Sequence, residues 1–150
     1  MSCNFFSAVP NKKFPWQGRL KPLAEALLKK EKKNAPVNII LCDSARQREL
    51  NKTYRNLDHV TDVLSFVWDE PAFLGEIYIA EEQVKKQAPL YGNTYYKELK
   101  RVLIHGLLHL CGYDHHGKAE RKIMREKERF HSGNFLHSSH DLSAVQSRKR

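Results

Sequence analysis

No run of this chain is apolar over the ~20 residues that a bilayer span requires, so no membrane helix is expected. Cysteine is scarce as well. Cys3, Cys42 and Cys111 are odd in number, scattered, and form no paired motif, which excludes a disulfide framework and fits a reducing compartment. Met1 to Pro15 has nothing resembling the apolar core of a signal peptide, so a cytoplasmic location is the expectation. Acidic residues are in short supply: 17 Asp and Glu stand against 26 Lys and Arg, a formal charge of +9. In a small domain that balance points to a polyanion such as nucleic acid, although basic surfaces also serve solubility. No internal repeat is visible.

What is present describes one globular domain. Hydrophobic residues are 41% and charged ones 29% of 150 residues, enough to bury a real core. Met1 to Gly18 reads as irregular structure packed by Phe14 and Trp16. Lys21 to Lys33 reads as a helix with Leu23, Ala24, Leu27 and Leu28 as its apolar stripe and lysines in its last turn. Val37 to Cys42 reads as a strand. A helix capped by Asp43 or Ser44 follows through Arg55, with Leu50 and Tyr54 as core positions and Arg48, Lys52 and Arg55 opposite. Asp62 to Trp68 is apolar on both faces, as in an interior strand. Gly75 to Ala80 alternates, which predicts a strand with one more polar side. Glu81 to about Leu90 is a helix, and another starts at a cap on Asn93 or Thr94 and runs to Cys111. From Leu99 onward that helix is apolar nearly all round, the pattern of a buried element. Gly117 to His131 is a last, highly charged helix anchored by Ile123, Met124 and Phe130. The domain thus spans residues 1–131, and 132–150 reads as a flexible polar and basic tail. The order of elements predicts an α+β fold with a small mixed sheet packed against the buried helix.

That buried helix carries the chemistry. His105 and His109 are four apart, so their imidazoles share one helix face. Gly112 can adopt the left-handed conformation that ends a helix, and the chain can then turn back to deliver His115. Three imidazoles with no Cys to close the set predict an open metal site with one position left for water or substrate. The competing reading, satisfied core histidines and a coincidental spacing, is weakened by the third His just beyond a glycine turn. Cys111, two residues past His109, points away from the histidine face and is left out of the set.

The order His-x-x-x-His-x-x-Gly-x-x-His matches metzincin proteases, but there the residue after the first His is a Glu that acts as general base. Here it is Gly106, which argues against peptide hydrolysis by that route. The full string from His105 to His115, His-Gly-Leu-Leu-His-Leu-Cys-Gly-Tyr-Asp-His, resembles the YbeY family of bacterial metal-dependent endoribonucleases at every specified position. A second stretch, Leu50-Asn51-Lys52-Thr53-Tyr54-Arg55 followed by Asp58 and Thr61 to Phe66, is similar to the family's second motif. A third, Leu74-Gly75-Glu76-Ile77, differs by having Glu76 where Asp is usual. The resemblance covers roughly Val37 to Phe130.

The resemblance implies a metalloprotease (zincin)-like domain with a four-stranded mixed sheet around a central metal helix. It implies one divalent ion, Zn2+ being the expected one, held by His105, His109 and His115, although imidazoles also suit Ni, Cu and Fe. It places the family's functional arginine on Arg55, with Lys52 and Arg48 on the same helix as further substrate-binding candidates. It implies single-stranded RNA as substrate, especially the 3′ end of small-subunit (16S) rRNA. Its implied partners are precursor rRNA, the small ribosomal subunit and its assembly factors, in ribosome quality control. Asp114 and His116 flank the third ligand as orienting partners or as turn residues. Asp62 either supports Arg55 or caps the turn into its strand. The alternatives are a protease-like metal hydrolase and a ribosome assembly factor whose metal is mainly structural.

Overall fold

The computed structural model describes residues 3–114 and 117–132. His115, His116 and the 133–150 segment lie outside the described residues, so the third histidine and nearly all of the expected tail are not placed. The elements run β1 (Cys3–Ser7), α1 (Gln17–Lys30), β2 (Val37–Cys42), α2 (Ser44–Arg55), β3 (Val63–Glu70), β4 (Phe73–Ala80), α3 (Glu81–Gln87), a 3-10 turn (Pro89–Tyr91), α4 (Tyr95–Leu110) and α5 (Lys118–Ser132). The expected α+β class and four-stranded mixed sheet are both found. Strand order is β1-β2-β4-β3, with β1, β2 and β4 parallel and β3 antiparallel to β4.

Side-chain alternation gives the sheet two unlike faces. Val37, Ile39, Leu41, Val63, Ile77 and Ile79 are buried and join Leu99, Val102, Leu103, Leu107 and Leu108 of α4 and Leu20, Ala24 and Leu27 of α1 in one core. The opposite face carries α2, whose Gln47 amide donates to the Tyr78 carbonyl at 2.8 Å. Asp43 starts α2 by accepting from the Arg46 N–H, and Thr94 starts α4 by accepting from Lys97 N–H, each satisfying an amide that the first turn leaves without a helical partner.

Four expectations need correction. The N-terminal leader is not irregular, because Cys3–Ser7 pairs in register with Val37–Leu41. Its partner is some 34 residues away, so no local signal announces it, and this is the fourth strand that the sequence pattern did not show. The first helix begins at Gln17 and ends at Lys30, opened by Trp16 in the left-handed region (φ 54°). β3 is an edge strand and not an interior one, while the more polar β4 sits between β2 and β3. Apolarity on both faces reports what covers the faces of a strand, not whether both its hydrogen-bonding edges are filled. Finally, Tyr54, Ile123 and Phe130 are exposed. The buried side of α2 is Gln47, Leu50 and Asn51, and that of α5 is Met124 and Glu128.

Candidate functional site

Along α4 the polar residues Glu98, Arg101, His105 and His109 recur at intervals of three or four, one stripe on an otherwise apolar helix. The N-terminal half of the stripe is a closed network. Glu98, fully buried, accepts from Arg101 (Nε 3.1 Å, Nη2 2.6 Å), Gln87 (2.7 Å) and Asn93 (2.9 Å). Burial pushes its carboxyl up, but the Arg101 guanidinium and the two amides outweigh this and hold it below the ordinary carboxylate value. The same Gln87 amide donates to Asp62 at 2.9 Å, which places Asp62 in this network at the start of β3.

The other half of the stripe is the histidine pair. Both rings are buried, at 0% and 2% exposure, with centroids 4.8 Å apart and planes inclined at 71°. The Nδ1 of His105 pairs with a Glu128 carboxylate oxygen from α5. A carboxylate on one imidazole nitrogen fixes the ring orientation and raises the basicity of the other. Two imidazoles one turn apart, one of them so oriented, are residues that could hold a divalent first-row ion, with Nε2 the His105 nitrogen it would use. Among the described residues no group of three His, Cys, Asp or Glu makes a complete cage.

Two devices hold α5 over this pair. Met124 is fully buried, one turn before Glu128. Glu31, at the end of α1, accepts from the Tyr113 hydroxyl (2.8 Å), Lys127 Nζ (3.2 Å) and His131 Nε2 (2.8 Å). Burial raises the Glu31 carboxyl, but these three donors prevail and hold it below its ordinary value. α4 itself stops as the sequence predicts: Gly112 takes φ 103° and Tyr113 N–H bonds back to the Leu108 carbonyl at 3.0 Å.

Gly106 faces the sheet. A Cβ there would lie 3.1 Å from Ile77 Cγ2, 3.2 Å from Ser65 Oγ and 3.3 Å from Val63 Cγ2. A side chain at this position is crowded from its first carbon and requires Ile77, Ser65 and Val63 to give way by a few tenths of an ångström. The departure from the protease pattern thus coincides with tight packing against the sheet. Gly75 of the third motif is tighter still, since its Cβ would meet the Phe66 carbonyl oxygen at 2.3 Å and Leu110 Cδ2 at 2.8 Å.

Arg55 reaches the same helix indirectly. Its Nη2 donates to the Ser65 carbonyl at 2.9 Å, and the Ser65 hydroxyl donates to the Gly106 carbonyl at 3.2 Å. Asp62 and Ala80 form a hydrogen-bonded pair at 2.9 Å. In an antiparallel ladder Leu64 and Phe66 are therefore also hydrogen-bonded to β4, and Ser65 turns its carbonyl to the free edge. Arg55 lies along that edge with its guanidinium 4.7 Å from the Phe66 ring centroid. Lys52 is exposed on the same helix, while Arg48 pairs with Asp58 at 2.7 Å.

Cys3 and Cys42 are core residues whose burial pushes their thiols up to about 12 and about 11, so both are protonated and unreactive at neutral pH. Sequence reasoning missed Glu128. Its signal was available: it sits one turn after Met124, a carboxylate in line with the one anchor of α5 that is fully buried.

The comparisons converge with this geometry. The family model described as Endoribonuclease YbeY matches residues 7–135. The chain is similar to the endoribonuclease YbeY of Endomicrobium trichonymphae, 42% identical over 110 residues that cover 73% of this chain and 78% of that protein. It is 45% identical to the Thermotoga neapolitana endoribonuclease YbeY over 113 residues, 73% of this chain and 75% of the relative. The solution structure of TM1509 from Thermotoga maritima superposes with a TM-score of 0.63 at 35% identity, covering 86% of this chain and 85% of that one. A histidine helix, an arginine reaching the edge strand from α2 and a family match over most of its length agree: this chain belongs to the endoribonuclease YbeY family.

Proposed function

We propose that the protein is a metal-dependent endoribonuclease for single-stranded RNA, working in the cytoplasm on the 3′ end of small-subunit (16S) precursor rRNA and in ribosome quality control, with the small subunit and its assembly factors as partners. The observation that carries the proposal is the buried His105–His109 pair on α4, tied to Arg55 through Ser65 and Gly106. His105 and His109, with His115 arriving from beyond Gly112, would hold one divalent ion, Zn2+ being the expected choice, in a metalloprotease-like domain. Such an ion supplies Lewis-acid charge and acidifies water toward neutral pH, chemistry that suits a site where Gly106 offers no general base. Glu128, placed against Nδ1 of His105, would orient that ring and leave Nε2 as the nitrogen for the ion. Arg55, with a planar fork of donors at the free edge, orients the scissile phosphate and meets charge that develops on it. Lys52 adds charge along the backbone, and Arg48 contributes when it leaves Asp58.

Two features weigh against a peptide substrate. Position 106 is a glycine packed closely against the sheet and supplies no glutamate base, and Arg55 already occupies the edge carbonyl of Ser65 that a strand-like peptide would pair with. The test is His109→Ala, followed by elemental analysis and by cleavage of single-stranded RNA. Lost metal and lost cleavage are expected; full metal occupancy with unchanged cleavage would sink the assignment.

A further inference from the structure

We propose that the free edge of the sheet is a base-stacking shelf for single-stranded RNA, with the rings of Tyr54 and Trp68 as its platforms and Arg55 and Lys52 meeting the backbone beside them. The proposal rests on the ribonuclease reading above and adds to it where, and by what contact, the RNA beyond the scissile bond is held.

Three aromatic residues line this edge, and they are not equivalent. Phe66 is the foundation. It is half-buried, with Tyr54 and Tyr78 packed edge-to-face against it at 5.4 and 5.8 Å and the Arg55 guanidinium over it at 4.7 Å. Tyr54 and Trp68 are the open surfaces, 62% and 53% exposed. Trp68 lies two residues beyond Phe66 on β3, where the pairing with β4 shifts register between Val67 and Glu70, and its ring is held by Phe73 across the hairpin at 5.8 Å. Both open rings are thus braced by a neighbouring aromatic, so little conformational freedom remains to be lost when a base stacks on them.

An exposed tryptophan and an exposed valine, Val67 at 37%, on an edge strand invite pairing with another chain, and edges are usually blunted by charge or by proline. Here the charge is Arg55, whose guanidinium lies over the Phe66 ring. Aromatic faces along an edge with cations beside them are what a single-stranded nucleic acid recognises: bases stack and phosphates pair. One chain of bonds ties the shelf to the histidine helix: Ser65 takes Arg55 on its carbonyl and donates its hydroxyl to the Gly106 carbonyl, next to His105 in sequence. Every base offers a π-face, so this surface supplies affinity and register but little sequence preference.

Binding of a fluorescent 2′-O-methyl oligouridine, which cannot be cleaved, to the full chain tests the shelf. Trp68→Ala and Tyr54→Ala are each expected to weaken binding roughly tenfold, with Tyr54→Phe close to the parent protein. The slope of log Kd against log salt should stay as in the parent, because lost stacking releases no counterions. Leu90→Ala, at another exposed apolar position (77%), should bind as the parent does. Unchanged binding in both alanine variants overturns the shelf and leaves the ribonuclease reading standing. A parent protein that binds no RNA overturns that reading and the shelf together. A concentration-dependent dimer in sedimentation that Trp68→Ala abolishes overturns the shelf too, since its occupant would be a second copy of this chain.

Discussion

β3 meets the rest of the molecule on two sides that could hardly differ more. Toward α4 and β4 it is packed so closely that Gly75 has no space for a single extra carbon and Gly106 takes one only if its neighbours give way. Toward its free edge it is open, with Tyr54, Val67 and Trp68 in solvent and one arginine lying along the backbone. The closed side fixes where His105 and His109 stand relative to the sheet. The open side is where a long, flexible substrate can be met. Rigidity and accessibility are thus separated by the width of one strand, and substitutions on the two sides should fail in different ways.

The largest effect is expected on the closed side. Gly75→Ala would drive a methyl into the Phe66 carbonyl and should cost about 3 kcal/mol or more of stability, read as a lowered urea midpoint. Gly106→Glu should likewise destabilise, by about 2–3 kcal/mol, and should confer no peptide hydrolysis in a peptide-library assay. On the open side the pattern inverts. Arg55→Ala should leave metal content and fold in place, with at most about 1 kcal/mol of stability lost, yet lower RNA cleavage on the order of 100-fold. If Arg55→Ala instead unfolds the protein, the open side is structural and the contrast collapses. Between the two lies Glu128. Glu128→Gln keeps the volume and removes the charge on His105 Nδ1, and should weaken metal affinity roughly 10- to 100-fold in a chelator competition.

The smallest effect is on pH dependence. The Glu98 carboxyl lies below its ordinary value of 4.5 in the folded state, so its contribution is complete above that value and is lost as pH falls through the lower, folded one. Urea midpoints between pH 6 and 3 should decline, and Glu98→Gln should make the decline shallower.

Much of the site was legible because its signals are local. The interval between His105 and His109 and the glycine at 112 follow from helix geometry, and Thr94 as a cap needs only its neighbours. What escaped depends on contacts distant in sequence. β1 exists because Val37–Leu41 offers it an edge. Tyr54 looked like core because it falls in register with Leu50, but it meets the sheet only by its edge-to-face contact with Phe66 and stays 62% exposed. Glu128 looked like one charge among many on α5 until His105 was found against it. The edge position of β3 was hidden by its own composition, since hydrophobicity tells which faces are covered and not which edges are paired.

The Glu31 carboxylate gathers donors from Tyr113, Lys127 and His131, up to 100 residues further along the chain. During synthesis that closure can form only after α5 has left the ribosomal exit tunnel. Until then the histidine helix can pack on the sheet, but Glu128 is not there to orient His105. A nascent chain, or one cut short by premature termination, therefore carries the histidine helix without the element that completes it. The histidine pair is thus completed by an element that follows it in the chain, so folding order and site assembly are linked through Glu31 and Glu128.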